Sequence, residues 1–198
     1  EDAVRQVNAA AEAGAGFIKV FSGVPEANWR AILSAAQARS LIVAGHVPAG
    51  VDVVTAATAG QRSNEHLLQV YEACTTTEND WLAARRDLRS DALEAARDTQ
   101  ESAVLNTFDV AACKRTATAL AATGQTQVPT LVLDNEDAFA TTGKPAADPR
   151  WQSLRADERE RWQRFIAGYR ASDAALAKRR IPVARQIVGA LHAAGVPI

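Results

Sequence analysis

Several common sequence features are missing from this chain, and each absence excludes a class of protein. No apolar run reaches the roughly 18 residues that a membrane-spanning helix requires. The first residues, Glu1-Asp2-Ala3-Val4, contain no basic segment followed by an apolar one, so no signal peptide is predicted within them, although a precursor could have carried one upstream. No GxGxxG pattern follows a predicted strand and no Walker sequence occurs, which argues against a nucleotide site.

A charge excess of one sign is also missing. Lys and Arg total 22 and Asp and Glu total 23, which gives a net charge of −1. This balance offers no basic surface for nucleic acid. Basic and acidic residues are interleaved along predicted helices, as is typical of solvent-exposed helix faces. We therefore expect a soluble protein of the cytoplasm or the periplasm that binds neither nucleic acid nor membrane.

Cysteine is scarce, and its arrangement excludes several kinds of site. Cys74 and Cys113 are far apart and neither belongs to a CxxC pair, so no zinc ribbon or thioredoxin-like redox site is predicted. Two buried or unreactive thiols are the favoured interpretation, with a single disulfide as the alternative. Because there are only these two cysteines, the cellular compartment stays undecided.

The chain does contain an alternation of strand and helix patterns. Short runs at 16–21 and 41–45 predict buried strands, and a less apolar run at 62–66 predicts a third. A helical stretch extends from 75 to about 123, and strand character returns at 128–133. Such alternation implies parallel strands. The predicted class is α/β, either part of a (β/α)₈ barrel or a doubly wound sheet.

Candidate metal ligands fall near the ends of three successive predicted strands, whereas no catalytic residue is assigned. They are Lys19, His46 and His66, and parallel strands bring their carboxyl ends together at one edge. Neutral imidazoles bind zinc and similar ions. A lysine ammonium cannot, because it has no lone pair to donate, unless carbon dioxide converts it to a carbamate. The alternative is structural: hydrogen-bonded histidines and a lysine paired with an acid.

Other polar and aromatic residues have simpler interpretations. His192 lies near the end of a predicted helix, where a cation is favoured by the helix dipole. Asp134, Glu136 and Asp137 follow a predicted strand and could face the same edge as the histidines, but helix capping is the favoured role. Packing is the expected role of the four tryptophans, Trp29, Trp81, Trp151 and Trp162. A Gly/Pro-rich stretch at 141–149 predicts a mobile loop.

Three stretches surround these candidates, at 15–20 (AGFIKV), 45–48 (GHVP) and 60–67 (GQRSNEHL). In this order and at this spacing they resemble the imidazolonepropionase-like branch of the amidohydrolase superfamily. Three later stretches extend the resemblance over nearly the whole chain. These are 129–132 (PTLV), 148–151 (DPRW) and 187–198 (IVGALHAAGVPI).

The resemblance implies a partial (β/α)₈ TIM-type barrel, about strands four to seven. Residues 1–198 would form a single domain, with a helical insertion at 72–126 after the sixth strand. Lys19, as a carbamate, would bind zinc or another divalent metal together with His46 and His66. The implied activity is hydrolysis of amide-type C–N bonds in a small linear or cyclic amide.

The chain also departs from the family pattern. Family members carry an HxH pair on the first strand and a catalytic aspartate on the eighth, whereas this sequence contains no HxH and ends at Ile198. We therefore expect a fragment of an amidohydrolase, inactive or nearly so on its own. The alternative is a non-enzymatic, degenerate barrel domain that acts in binding or assembly. The exposed strand edges of an open barrel favour a homo-oligomer in either case.

Overall fold

The structure is a computed structural model that describes residues 2–142 and 147–198. Residues 143–146, which belong to the predicted loop at 141–149, lie outside the described residues. The chain divides into two compact units. The first contains the chain up to Pro129 together with Gln186–Ile198, and the second is Thr130–Arg185.

Four short strands occur in the described residues, and all belong to the first unit. Strand β1 (Phe17–Val20) pairs in parallel with β2 (Ile42–Gly45). Strand β3 (Ser63–Glu65) pairs in parallel with β4 (Thr126–Val128). A single parallel bridge between Val43 and Gln61 joins the two pairs.

Helices make up most of the described chain. In the first unit, α1 to α3 alternate with the strands, and α4 to α7 fill the chain between β3 and β4. In the second unit, two 3-10 turns (Ala140–Thr142 and Pro149–Ser153) separate α8 from α9. Helix α10 begins in the second unit, and its residues from Gln186 onwards belong to the first. The helices are α1 (Asp2–Glu12), α2 (Glu26–Ala38), α3 (Val53–Thr58), α4 (Val70–Ala73), α5 (Glu78–Arg85), α6 (Ser90–Asn106), α7 (Val110–Thr123), α8 (Leu131–Phe139), α9 (Ala156–Ala167) and α10 (Ala171–Ala193). No helix among the described residues is both long and apolar enough to span a membrane.

The predicted partial (β/α)₈ barrel is wrong. The described strands have only three or four residues each and form two separate two-stranded sheets within a mostly helical chain. The apolar runs correctly marked β1 and β2, but they are too short to build a continuous wall of strands. The assignment of 1–198 as one domain of a larger protein, with an insertion at 72–126, stays a prediction.

The strand predicted at 128–133 is also wrong. Strand β4 ends at Val128, and Pro129 follows with no N–H to donate to a neighbouring strand. Thr130 then adopts a left-handed conformation with φ of 50°, and α8 begins at Leu131. The apolar run Leu131–Leu133 therefore forms the first turn of a helix.

Cys74 and Cys113 form a disulfide, so the favoured interpretation as two thiols is wrong. The residues flanking them show why the two are close. Thr75 and Phe108 form an antiparallel bridge, and the Thr116 hydroxyl donates a hydrogen bond to the Ala73 carbonyl at 3.0 Å. These contacts hold the end of α4 against the start of α7, which places the Cα atoms of the two cysteines 4.1 Å apart.

Buried amide side chains connect the strands where the backbone ladder is interrupted. Gln61, which is 1% exposed, donates from Nε2 to the carbonyls of His46 at 3.2 Å and Ser63 at 3.0 Å. Its Oε1 accepts a hydrogen bond from the Trp29 indole at 2.8 Å. Gln125 donates to the Gln61 carbonyl at 2.9 Å. Gln61 therefore links α2, the end of β2, β3 and the start of β4.

Replacing Gln61 by leucine is expected to lower the free energy of unfolding by about 3 kcal/mol, because a buried indole N–H and two carbonyls lose their partner. Urea denaturation measures this loss. Gln37→Leu on the exposed face of α2 is the control and should change stability by less than about 0.5 kcal/mol. Equal effects in the two variants would contradict a structural role for the Gln61 amide.

Glu78, the first residue of α5, keeps its proton to a higher pH than an ordinary glutamate because its pKa is raised. Burial, and next the nearby carboxyls of Asp52 and Glu72, raises its pKa from 4.5 to about 7. A raised pKa means that the folded chain binds more protons than the unfolded chain between these values. Stability is therefore expected to fall as the pH rises from about 4.5 through about 7.

Glu78→Gln should remove this pH-dependent loss. At pH 8 we expect the variant to be more stable than the parent by about 2 kcal/mol, a value reduced from the full shift because Glu78 is partly exposed. Below pH 4.5 the two proteins should be equally stable. Thermal unfolding across this range measures the difference, with the exposed Glu94→Gln on α6 as a control that shows no such trend.

Candidate metal centre

Parallel pairing brings the predicted site residues to one end of the strands. Lys19 lies on β1, and His46 directly follows β2. The His46 amide donates to the Val20 carbonyl at 2.9 Å, which extends the β1–β2 pairing to the histidine. His66 directly follows β3, and its amide donates to the Val128 carbonyl at 2.9 Å.

Gly45 allows His46 to lie close to β1. Its φ of +108° is rarely adopted by residues with side chains. A Cβ at this position would lie 2.5 Å from the Val20 carbonyl oxygen, closer than van der Waals contact permits. A glycine is therefore required for the turn that directs His46 into the site.

The two histidines converge on a carboxylate. One ligand atom each from His46, Glu65 and His66 lies within 4.8 Å of the others. Glu65 Oε2 is 3.8 Å from His46 Nε2 and 3.7 Å from His66 Nε2. The two imidazole rings meet edge to face with their centroids 5.0 Å apart. We call these three residues the metal triad.

Lys19 adjoins the metal triad as the counter-ion of its carboxylate. Its Nζ lies 2.7 Å from Glu65 Oε2, and 42% of its side chain is exposed. The structure thus brings Lys19, His46 and His66 together, as the strand pattern predicted. Sequence reasoning missed Glu65. The requirement that an unmodified Lys19 pair with an acid could have identified it, since Glu65 immediately precedes His66.

The surroundings keep His46 neutral. Burial, and next the positive charge of His66, lowers its pKa from 6.5 to about 4. Its side chain is 16% exposed, and the Phe21 ring packs edge to face against it at a centroid distance of 4.7 Å. Its buried Nδ1 has no hydrogen-bond partner among the described residues. At neutral pH, His46 is therefore an uncharged imidazole, the form that binds metal ions.

The backbone after β3 is strained. His66, Leu67 and Gln69 all have positive φ, at 62°, 53° and 63°. Such conformations in residues other than glycine cost on the order of 1–3 kcal/mol each and cluster at functional sites. The strain here lies at one of the two histidines, which supports a functional role for the metal triad.

The other predicted candidates have structural roles. His192 is exposed in the last turn of α10, where the helix dipole favours a cation. Within the second unit, Asp134 and Asp137 pair with Arg180 at 2.6 and 3.2 Å, so neither acts as the expected cap. The N-cap residue of α8 is Thr130. Trp29 is fully buried, as packing requires, whereas Trp162 is 48% exposed.

Comparison with known proteins gives one informative match. No family model matches the chain, and no curated protein matches its sequence. Among solved structures, bottromycin amidohydrolase is similar, with a TM-score of 0.62 and 21% sequence identity. The likeness covers 98% of this chain and 39% of that protein, so the chain spans well under half of its length. At this identity the likeness establishes a shared fold.

The donor set of the metal triad fits a divalent cation. Two imidazoles and one carboxylate are ligands that zinc accepts, and the three already lie close enough to share one ion. The Lys19 ammonium beside them opposes a cation unless it moves away from Glu65 or loses its charge.

Proposed function

We propose that His46, Glu65 and His66 hold zinc or another divalent cation, and that this centre serves hydrolysis of amide-type C–N bonds. The observation that carries the proposal is the convergence of the three ligand atoms within 4.8 Å at the ends of β2 and β3. Two further findings support it. The sequence resembles amidohydrolases around Lys19, His46 and His66, and the fold is similar to bottromycin amidohydrolase.

Some residues of the proposed site would bind the cation, and others would position the residues that bind it. A divalent cation polarises a carbonyl and makes water more acidic. His46 contributes a lone pair at neutral pH because burial disfavours its protonation. Phe21 packs on the His46 ring and limits its rotation. Lys19 orients the Glu65 carboxylate through their ion pair.

Lys19 is also proposed as a ligand in its carbamate form. The carbamate would place an anionic oxygen beside Glu65, where the ammonium lies at 2.7 Å. Metal content that rises with added bicarbonate and falls in Lys19→Ala would support this role. Metal content in Lys19→Ala that equals or exceeds that of the parent would instead identify Lys19 as the counter-ion of Glu65 alone.

Elemental analysis of the purified chain tests the metal triad directly. We expect near-stoichiometric metal in the parent and at least about tenfold weaker retention in His46→Ala, His66→Ala and Glu65→Gln, because each lacks one ligand. His192→Ala is the matched control, since it removes the third histidine of the chain outside the site. A His46→Ala variant that retains metal like the parent would refute the proposal.

Hydrolysis by this chain alone is expected to be absent or very weak. The sequence contains no HxH, so it lacks a ligand pair found in the family that it resembles. Release of amine from N-acyl amino acids by the metal-loaded chain measures this activity. Turnover that disappears in His46→Ala but not in His192→Ala would show that the metal triad suffices and would contradict the expected inactivity.

A further inference from the structure

Arg97 on α6 has an unusual environment, because half of its hydrogen-bonding fork is unused. Its Nη1 donates to the Ser22 hydroxyl at 3.1 Å. Its Nη2 is buried and has no hydrogen-bond partner among the described residues. A buried guanidinium nitrogen without a partner is costly, because it has lost water and gained nothing in exchange.

The charge of Arg97 is also poorly compensated. The neighbouring Glu72 carboxylate forms an ion pair with Arg85, which is 2% exposed. Burial, and next the positive charge of Arg85, lowers the pKa of Arg97. Glu72, already paired with Arg85, and the exposed Glu94 are the carboxylates whose charge acts on Arg97, and neither forms an ion pair with it among the described residues.

Arg97 is connected to the metal triad through Ser22 and the neighbouring Phe21. The partner of Arg97, Ser22, follows Phe21, whose ring packs on His46. The Ser22 carbonyl accepts a hydrogen bond from the Ala49 amide at 3.0 Å, which ties it to the segment after His46.

We propose that Arg97 is the specificity-determining residue of the site and binds a carboxylate group of the amide substrate. A planar carboxylate matches two adjacent guanidinium nitrogens, and such charge-assisted pairs are stronger than a bond to a neutral hydroxyl. The Ser22 hydroxyl accepts the hydrogen bond of Nη1 in the absence of substrate, and its rotation frees Nη1 for the carboxylate. The adjacent Nη2 has no hydrogen-bond partner among the described residues to give up. The assignment of the carboxylate to an amide substrate rests on the proposed function.

Binding of two matched probes to the whole chain tests this role. N-acetylglycine carries an amide and a carboxylate, whereas N-acetylglycinamide has the same amide and no charge. The ring proton signals of the histidines report binding by NMR. We expect the parent to bind N-acetylglycine at least about tenfold more tightly than N-acetylglycinamide, and Arg97→Gln to lose that preference. Equal binding of both probes by the parent would overturn the proposal.

Two variants distinguish a binding role from a structural one. Ser22→Ala removes the hydroxyl that competes for Nη1, so it should bind N-acetylglycine as tightly as the parent or more tightly. A purely structural pair predicts instead that Ser22→Ala and Arg97→Gln weaken binding alike, which would refute the proposal. Arg115→Gln on the exposed face of α7 is the control for the loss of one charge.

The outcome is separable from that of the metal proposal. Metal content of the parent and of Arg97→Gln is measured on the same samples, and we expect no difference, because Arg97 is not a member of the metal triad. A parent that binds no metal but prefers N-acetylglycine would refute the metal centre and support the carboxylate site. Inorganic phosphate that binds as tightly as N-acetylglycine would overturn the choice of a carboxylate.

Discussion

Glu72→Ala is expected to lower the free energy of unfolding by about 3–5 kcal/mol, because it leaves the buried Arg85 guanidinium without its counter-ion. Among the described residues, Arg85 would retain only the hydrogen bond from Nε to Gln100 at 2.6 Å. The positive charge of Arg97 nearby increases the cost. Urea denaturation with a linear fit measures the loss.

Two further variants test whether the unpaired charge of Arg85 causes this loss of stability. Glu12→Ala removes the 70% exposed partner of Arg39 and should cost less than about 1 kcal/mol. The double variant Glu72→Leu/Arg85→Met should recover most of the stability, since two apolar side chains of similar volume replace a buried pair at little cost. A double variant as unstable as Glu72→Ala would contradict the view that the unpaired charge causes the loss.

Gly45→Ala is expected to have the second large effect, a loss of about 3 kcal/mol or more. The new Cβ would lie 2.5 Å from the Val20 carbonyl oxygen and 3.1 Å from Lys19 Cγ, at a φ of +108°. To relieve these contacts, β1 and β2 have to separate just before His46. We therefore expect metal content to fall together with stability.

Gly189→Ala is the matched control and should act in the opposite direction. Gly189 lies inside α10, and a Cβ there would meet nothing within 4 Å. An alanine in a helix interior is more favourable than glycine by roughly 0.5–1 kcal/mol. Thermal unfolding of both variants provides the comparison, and a Gly45→Ala protein as stable as Gly189→Ala would show that the turn at Gly45 relaxes freely.

The strands that hold the site could be predicted from sequence because their apolar runs are bounded by clear breaks. Phe17–Val20 and Ile42–Gly45 are short, mostly apolar segments, with Lys19 as the exception, and glycine-containing turns bound them. Their parallel pairing placed Lys19 and His46 near one another. A sequence pattern over a few residues suffices to predict a strand when it contains both the strand and the turn that ends it.

The barrel was a wrong prediction because pairing between strands is not local. Gln61 takes part in only one isolated bridge, and its side chain bonds to backbone carbonyls beyond that bridge. A single glutamine between two strands leaves no periodic signal in the sequence. The hydrophobic pattern therefore cannot show that the backbone hydrogen bonding between β2 and β3 stops there. In the same way, Pro129 and a left-handed Thr130 convert an apolar run into a helix start.

Only part of the candidate site could be predicted from sequence, again because some of its contacts join residues that are far apart in the chain. His46 and His66 stand out because histidine is rare in this sequence, whereas Glu65 is one of many acids. Its role depends on Lys19, which lies on a different strand. The unused nitrogen of Arg97 depends on what surrounds it in three dimensions, and no sequence pattern marks such a residue.

The hydrogen bond from the His66 amide to Val128 has a consequence for the order in which the chain folds. Strand β4 can reach β3 only after α4 to α7, which separate them in sequence, have brought the chain back. Contacts between distant parts of a chain form slowly, because loop-closure entropy opposes them. The left-handed turn at His66 is thus fixed late in folding. A cation present from the start of refolding would therefore encounter His46 before the three residues of the metal triad had come together.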